Sequence, residues 1–265
     1  MGGFSPDLQA SEIQGQIPGL SLASALPAGG QGAVFRGVHA EHGDVVLKVV
    51  LPQFEERTRR EIDALRTLRL PNVVRLLDHG YIDVRQETCP YTLTRLVTGD
   101  DIRTRILNGD HMDEFQAREL IRGVAAALDE LWRKEIVHRD VKPPNIIWST
   151  LGTAVLIDLG VARHLTRTDL TTYGGWLGTR GFMAPEQASG EKHLTVRADV
   201  FGLGVTAHMA ITGVHPFGGQ DEIMAGKRPT SVATVSDNLS ALLLSMMSLR
   251  PIDRPTARNL LEALS

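Results

Sequence analysis

The segment His138-Arg139-Asp140-Val141-Lys142-Pro143-Pro144-Asn145 is followed, thirteen positions after Asn145, by Asp158-Leu159-Gly160. Transfer of a phosphoryl group from ATP needs one carboxylate that receives the proton of the attacking hydroxyl. It also needs an oxygen donor and a second carboxylate that hold magnesium against the phosphates. Asp140 fits the first requirement, and Asn145 and Asp158 fit the second. The two segments therefore indicate a phosphoryl-transfer site.

The string H-R-D-V-K-P-P-N resembles the catalytic loop of protein kinases. Over roughly residues 20–265 the chain resembles the catalytic domain of Hanks-type (eukaryotic-type) serine/threonine kinases, and the Pro-Glu-Gln run at 185–187 resembles bacterial members. The resemblance implies an α+β, two-lobed protein-kinase fold that binds nucleotide in the cleft. We expect a flexible arm over residues 1–18, a small β-rich N-lobe with one main helix over 19–97, and a larger helical C-lobe over 98–265.

Composition agrees with this assignment. The chain has 265 residues, 42% of them hydrophobic and 22% charged, which is ordinary for a soluble globular protein. A net charge of −3 gives no reason to expect nucleic acid or an anionic membrane as a partner. No apolar run is long enough to span a bilayer, and no secretory signal begins the sequence. Cys89 is the single cysteine, which suits a reducing compartment, so we expect a cytoplasmic protein.

Residue patterning predicts strands first and helices afterwards. Short β-type runs are predicted at 19–26, 33–38, 45–51, 73–77 and 91–97, with one helix over 55–68. Asp113 with Gln116 three positions later is a capping-box pattern that begins a long amphipathic helix. Later helices are predicted over 198–211, with a stop at Gly213, over 239–247 and over 256–264.

Residues 26–37 are rich in glycine, which lets backbone amides approach phosphate oxygens, although an ordinary hairpin turn has the same composition. The position of this loop shortly before Lys48 favours phosphate binding, with Pro27 in place of the first glycine of the kinase pattern. Lys48 lies among apolar residues and needs an anionic partner, which Glu61 in the following helix supplies. The resemblance implies that Lys48 reaches the α- and β-phosphates of ATP.

The resemblance also places residues around the base and ribose of the nucleotide. Thr94 is implied as the gatekeeper, and the backbone of residues 95–97 as the partner of the adenine edge. The full set implied around the nucleotide, besides Lys48 and Glu61, is Leu26, Gly29, Gly30, Gly32, Val34, Val46, Thr94, Arg95, Val97 and Ile147.

For catalysis, the resemblance implies that Asp140 orients and deprotonates the substrate hydroxyl. Lys142 neutralises charge on the γ-phosphate, and its place two positions after Asp140 is typical of kinases that act on serine and threonine. Asn145 and Asp158 are implied as ligands of Mg²⁺, with Mn²⁺ as an alternative metal.

The segment from Asp158 to Glu186 resembles the activation loop with its Ala-Pro-Glu ending. Arg139 is the basic residue expected to bind a phosphate on this loop, whose charge would then order it. The alternative is a loop that is ordered by its own packing, with Trp176 and Leu177 as anchors. The candidate phosphorylation sites are Thr171 and Thr172, followed by Thr166 and Thr168.

Three further residues are implied in structural roles. Glu186 should pair with Arg254, and Asp199 should hold the backbone of the catalytic loop. None of the histidines shows the spacing of metal ligands.

The leading hypothesis is an active ATP-dependent serine/threonine kinase that modifies protein substrates and autophosphorylates in trans through a transient homodimer. The alternative is a nucleotide-binding pseudokinase or scaffold with little or no transfer activity. Loss of Lys48, Asp140, Asn145 or Asp158 would favour that alternative, and all four are present. A small-molecule kinase is a third hypothesis, and the Ala-Pro-Glu motif and peptide-docking loop speak against it.

Overall fold

The computed structural model describes residues 8–26, 32–68, 70–159, 163–164 and 181–265. It divides into two compact units, one of Met1–Arg69 with Val74–Val97 and the other of Leu70–Val73 with Thr98–Ser265. The first unit contains a five-stranded sheet and one main helix, whereas the second is mainly helical. This confirms the α+β kinase architecture that the sequence predicts.

The sheet of the first unit is antiparallel throughout. Its strands are β1 (Leu20–Leu26), β2 (Gly32–His39), β3 (Gly43–Val50), β4 (Leu76–Val84) and β5 (Glu87–Arg95). They lie in the order β1-β2-β3-β5-β4, and the main helix α2 (Glu55–Thr67) follows β3 in the chain. Phe35, Leu47 and Leu93 lie opposite one another on β2, β3 and β5, and all three are buried in the core. The other face of the same strands is therefore left for polar and functional side chains.

Residues 8–18 differ from the flexible arm that the sequence predicts over residues 1–18. They include a short helix, α1 (Ala10–Ile13), and they bury Leu8, Ile13 and Ile17 in the core of the first unit. Three apolar residues scattered among polar ones do not make a clear period, so the segment shows no helix or strand pattern in the sequence.

Polar contacts fix residues 8–18 to the C-terminal end of β4. The side-chain amide of Gln16 donates to the Asp83 carbonyl at 2.7 Å and accepts from the Asp83 amide at 2.8 Å. The Arg85 guanidinium donates twice to the Glu12 carboxylate, at 2.7 and 3.0 Å. These contacts join residues 67 and 73 positions apart, and they hold the segment beside β4.

The hairpin of β4 and β5 is longer than the strands predicted at 73–77 and 91–97, because both strands extend to a turn at Arg85 and Gln86. These residues have φ of 48° and 72°, the positive values of a two-residue type I′ turn. Such turns usually carry asparagine or glycine, so the sequence offers no signal for this one.

The helices of the second unit are α3 (Ile102–Leu107), α4 (Glu114–Arg133), α5 (Pro185–Ala188), α6 (Val196–Thr212), α7 (Gln220–Met224), α8 (Asp237–Met246) and α9 (Ala257–Ala263). The predicted capping box is confirmed, since Asp113 accepts from the Gln116 amide and Gln116 accepts in return. α6 is buried along most of its length and ends at Gly213, whose φ of 72° is the left-handed cap that glycine favours. α3, α5 and α7 are too short to show a period and are not predicted.

Two small sheets in the second unit border the catalytic motifs. β6 (Gly99–Asp101), β8 (Ile146–Ser149) and β9 (Ala154–Leu156) form one sheet in the order β6-β8-β9. β7 (Ile136–Val137) pairs with β10 (Arg163–His164) in the other. Residues 138–145 therefore run between β7 and β8, and residues 157–159 directly follow β9.

Within the described ranges, no helix combines the length and apolar character needed to cross a membrane.

Candidate active site

The backbone of the catalytic loop is fixed by a buried carboxylate. Asp199, in the first turn of α6, accepts the amide of His138 at 2.9 Å and the amide of Arg139 at 2.7 Å. Burial raises the pKa of Asp199, while its interactions with His138 and Arg139 act in the opposite direction. These two hydrogen bonds fit the structural role predicted for Asp199, which is to hold the backbone of the catalytic loop.

Arg139 has a φ of 69°, which is unusual for a residue other than glycine. Its amide donates to Asp199, and its carbonyl accepts from Nε2 of Gln187 at 2.7 Å. The two bonds hold the main chain on both sides of the left-handed residue. They also connect the loop to α5, which carries Gln187.

Asp140 lies at the centre of a hydrogen-bonded group of side chains. Its Oδ2 is 2.8 Å from Nζ of Lys142 and accepts from Nδ2 of Asn145 at 3.1 Å. Nδ2 of Asn145 also donates to the Asp140 carbonyl at 2.9 Å, and the Asp140 amide donates to Nδ1 of His138 at 3.2 Å. The carboxylate is therefore held in one orientation beside a cation, an arrangement that can receive a proton from a bound hydroxyl.

Asn145 and Asp158 are brought close by strand pairing. β8 and β9 pair antiparallel with Ile146 opposite Leu156, and the Ile157 amide donates to the Asn145 carbonyl at 3.0 Å. Asp158 is the next residue after this bond. Because Nδ2 of Asn145 is used on Asp140, Oδ1 is the atom of this amide that can ligate a cation.

The donors at Asn145 and Asp158 are oxygens, which fits Mg²⁺ or Mn²⁺. Among the described residues no group of three or more histidine, cysteine, aspartate or glutamate side chains could hold a metal ion. An ion bound by Asn145 and Asp158 would therefore complete its coordination with water and with phosphate oxygens, as magnesium commonly does.

In the first unit, the strand register gathers the residues predicted to contact nucleotide. Leu26 lies opposite Val34, Val34 opposite Lys48, and Val46 opposite Thr94. Directly paired residues point to the same face of a sheet, and so do residues two apart on one strand. Leu26, Val34, Val46, Lys48 and Thr94 therefore share one face, opposite to the face that buries Phe35 and Leu47.

Lys48 on this face makes an ion pair with Glu61 of α2. Nζ of Lys48 is 3.1 Å from Oε2 and 3.4 Å from Oε1, and Glu61 is buried. The pair places an ammonium group on the shared face, where it can meet phosphate oxygens.

Gly32 has a steric reason to be glycine. A Cβ at this position would lie 2.0 Å from the carbonyl oxygen of Val49 on β3. Close approach of two strands therefore contributes to the glycine requirement at Gly32, besides any contact with phosphate. Gly29 and Gly30 lie outside the described residues, as do Thr166, Thr168, Thr171 and Thr172.

At the predicted adenine edge, the backbone is partly used by the first unit itself. The Arg95 amide donates to the Arg75 carbonyl at 3.0 Å, and the Leu96 amide donates to the Asp44 carbonyl at 3.1 Å. These bonds remove the Arg95 and Leu96 amides from the predicted adenine contacts, which leaves the carbonyls of Arg95 and Leu96 and the main chain of Val97. Ile147 belongs to the second unit, on β8 between Asp101 and Val155.

Glu186 and Arg254 meet as a buried pair, with Nη1 to Oε1 at 2.6 Å and Nη2 to Oε2 at 2.9 Å. Sequence reasoning missed Gln187, which bonds the Arg139 carbonyl, and Arg197, which donates to the carbonyls of Pro251, Ile252 and Arg254. Bonds from side chains to main-chain carbonyls leave no pattern in the sequence, so no signal could have identified either residue.

Comparison with known proteins agrees with this geometry. The family model described as "Protein kinase domain" matches residues 21–264. The serine/threonine-protein kinase PknH of Mycobacterium bovis is 32% identical over 218 residues, which is 80% of this chain and 36% of that protein. The serine/threonine-protein kinase PknD of Mycobacterium tuberculosis is 30% identical over 213 residues, 78% of this chain and 31% of that protein.

A third relative, the "Probable serine/threonine-protein kinase PkwA" of Thermomonospora curvata, is 33% identical over 261 residues, 95% of this chain and 34% of that protein. The chain thus spans about a third of the length of these curated relatives. The family match covers nearly all of the sequence and includes both catalytic motifs. This chain belongs to the protein kinase domain family, in its Hanks-type serine/threonine branch with bacterial relatives.

Proposed function

We propose that this chain is an active ATP-dependent serine/threonine kinase domain that transfers the γ-phosphate to protein hydroxyls. The observation that carries the proposal is the group at Asp140, where Lys142 and Asn145 both contact Oδ2 of one carboxylate. Asp140 as the proton acceptor, Lys142 as the cation and Asn145 as the proposed metal ligand lie within six consecutive residues. Phosphoryl transfer needs little more from a protein than this positioning and charge.

In the proposed reaction, the hydroxyl oxygen of a serine or threonine forms a bond to the γ-phosphorus of ATP and gives its proton to Asp140. The bond from the γ-phosphorus to the β–γ bridging oxygen breaks, and ADP leaves. Lys142 lies beside that carboxylate and offsets negative charge on the group being transferred. Asn145 and Asp158 would hold Mg²⁺, which would neutralise charge on the phosphates. Lys48, oriented by Glu61, contacts the α- and β-phosphates. The shared face of Leu26, Val34, Val46 and Thr94 receives the adenine.

Regulation and partners are further parts of this proposal. Arg139 binds a phosphate on Thr171 or Thr172, which a second copy of the chain adds in a transient homodimer. The predicted cytoplasmic location, protein substrates and lack of a nucleic-acid partner stay predictions. Mass spectrometry of the chain made with and without the Asp140→Asn change would map any phosphate added between Asp158 and Glu186.

The proposal is tested with the Asp140→Asn variant. Asparagine keeps the size of the side chain but is a very poor proton acceptor, so transfer from Mg-ATP to a basic peptide should fall by about 10²–10⁴-fold. Binding of Mg-ATP, measured by the increase in melting temperature, should remain, because Asp140 contacts the hydroxyl in this scheme. Asp253→Asn is the matched control, since Asp253 is an exposed carboxylate paired with Arg250.

Equal transfer by the wild type and Asp140→Asn would contradict the assignment of Asp140. A wild-type chain that is stabilised by Mg-ATP but transfers no phosphate under any activating condition would instead support the pseudokinase alternative.

A further inference from the structure

The strip Gly181–Met183, directly before the Ala-Pro-Glu ending of the predicted activation loop, is held by a buried glutamine. The Gly181 amide donates to Oε1 of Gln220 at 3.0 Å, and Nε2 of Gln220 donates to the Met183 carbonyl at 3.2 Å. Gln220 is the first residue of α7 and is only 5% exposed. One side chain therefore satisfies main-chain groups at both ends of the strip.

His215 holds the same strip through the other main-chain group of Gly181. Nε2 of His215 is 2.8 Å from the Gly181 carbonyl. Nδ1 of the same ring accepts from the amides of Phe217 at 3.2 Å and Gly218 at 3.0 Å. Since Nδ1 accepts, the neutral ring carries its proton on Nε2 and donates it to Gly181.

The imidazole also packs directly on the strip. Gly181 has a φ of 101°, and a Cβ there would lie 3.1 Å from Nε2 of His215. The ring of Phe182 meets the His215 ring edge-on, with centroids 6.0 Å apart. The position of the strip is thus coupled to the orientation of one histidine ring.

The residues just after the strip have separate anchors. Glu186 is bonded to Arg254, and Gln187 is bonded to the carbonyl of Arg139 in the catalytic loop. Loosening the strip at Gly181 should therefore leave the catalytic loop in place. A change confined to Gly181–Met183 should affect the binding of a protein substrate more than the chemical step.

We propose that the strip Gly181–Met183 docks the protein substrate, that His215 and Gln220 are the positioning residues of this strip, and that protonation of His215 weakens the binding of protein substrate. The proposal rests on the proposed kinase function for its link to substrate. Protonation would place a hydrogen on Nδ1 opposite the two amides of Phe217 and Gly218, so the ring would have to leave its present position.

Burial holds the pKa of His215 below its ordinary value of 6.5, and Lys227 lowers it further, whereas the Gly181 bond and Glu222 raise it. The charge of His215 in turn acts on the buried His208, whose pKa is lowered mainly by burial. A histidine with a lowered pKa stays neutral at pH 7 and gains its proton only on acidification below about 6.5. The loss of substrate binding is therefore expected on the acidic side.

Steady-state kinetics with a serine- and threonine-containing basic peptide would test the proposal. His215→Asn keeps a short acceptor for the amides of Phe217 and Gly218 but cannot reach Gly181. Gln220→Leu removes both bonds to the strip. Each variant should raise KM for the peptide about 3- to 10-fold at pH 7.5, which corresponds to the loss of one or two hydrogen bonds. KM for ATP and kcat should stay within about twofold of the wild type.

The pH dependence separates positioning from a merely structural role. In the wild type, KM for the peptide should rise as the pH falls below about 6.5 while KM for ATP does not, and His215→Asn should lose this dependence. His208→Asn is the matched control and should keep the pH dependence of KM for the peptide. His208 is buried nearby, but it bonds Thr230 and Val214 rather than the strip. Unchanged peptide KM in both strip variants, or a pH dependence that persists in His215→Asn, would overturn the proposal.

Hydrogen exchange at the Gly181 amide provides a readout that does not need activity. After correction for intrinsic exchange rates, this amide should exchange faster in Gln220→Leu than in the wild type. It should also exchange faster in the wild type at pH 5.5 than at pH 7.5, but not in His215→Asn. If neither the wild type nor the variants transfer phosphate, the proposed kinase function fails. Equal exchange of the Gly181 amide in the wild type, Gln220→Leu and His215→Asn would independently overturn the positioning role.

Discussion

Arg254 and Glu186 are 68 positions apart in the sequence and meet as a two-bond fork with the guanidinium fully buried. All five N–H groups of Arg254 are used, because it also donates to the carbonyls of Ser248, Arg197 and Leu249. The guanidinium lies 4.9 Å from the centre of the Phe201 ring. The pair thus connects α5 with the loop before α9, inside the second unit.

Glu186→Ala should destabilise the second unit strongly. It leaves a buried cation without its carboxylate, which typically costs about 3–5 kcal/mol. Urea denaturation would measure the loss. Asp253→Ala, which breaks the exposed pair with Arg250, should cost less than about 1 kcal/mol. Equal and small effects of the two changes would show that the buried fork contributes no more than a surface ion pair.

Glu61→Gln should weaken the use of ATP without unfolding the first unit. Glutamine keeps the size of the side chain but removes the carboxylate that is 3.1 Å from Nζ of Lys48. A charge-assisted hydrogen bond is worth about 1.5–3 kcal/mol, so KM for ATP should rise at least about tenfold. Glu56→Gln on the same helix is the control, because Glu56 pairs with Arg60 at the exposed surface. A rise of similar size in both variants would contradict a specific role for the Lys48–Glu61 pair.

Ile13→Ala should lower the stability of the first unit, because Ile13 is buried in the sheet core although it precedes every strand. Truncation of a buried isoleucine to alanine typically costs about 2–5 kcal/mol. The melting temperature and hydrogen exchange of β4 would report the loss. Ser11→Ala, at an exposed position of the same helix, should have little effect. A stable Ile13→Ala variant with unchanged exchange would contradict a contribution of Ile13 to the core of the first unit.

Acidification should weaken the contact between the N-termini of α4 and α8. Glu114 accepts from the amide and hydroxyl of Ser236, both at 2.7 Å, and from Arg118. The Ser236 bonds, followed by Arg118, lower the pKa of Glu114 to about 2. A carboxyl whose folded pKa is depressed stabilises fully above its unfolded value of about 4.5, and the contribution is lost as the pH falls towards about 2.

The difference in stability between the wild type and Glu114→Gln should therefore be largest above pH 5 and should shrink between about pH 4.5 and 2. Denaturation curves at several pH values would measure it. A difference that stays constant over this range would mean that Glu114 does not titrate in the predicted window.

Sequence patterns were most informative where chemistry or capping restricts residue type. The fold was implied by the family resemblance of the motifs that contain Asp140, Asn145 and Asp158, and the start of α4 was predicted from its capping box. The ends of β4 and β5 could not be predicted, because Arg85 and Gln86 adopt positive φ without the usual glycine or asparagine. Here tertiary contacts, including the Arg85–Glu12 pair, favour a conformation that local preference does not.

The contacts around Gly181 and Arg139 were also beyond sequence reasoning. Gln187, His215 and Gln220 act on main-chain amides and carbonyls, which every residue carries. Nothing in the identity of Gly181 or Arg139 indicates which side chain will bond its backbone. By contrast, an ion pair such as Lys48 with Glu61 restricts the residue type at both positions, so it could be predicted from the sequence.

The docking of residues 8–18 against β4 also has a consequence for the order of events during synthesis. Gln16 and Glu12 leave the ribosome first, but their partners Asp83 and Arg85 follow 67 and 73 residues later. At the usual rate of translation this delay is roughly 4–15 s, which is long compared with hairpin formation in microseconds. The bonds of residues 8–18 to β4 can therefore form only after the hairpin of β4 and β5 has emerged, so they join parts of the first unit that are made at different times.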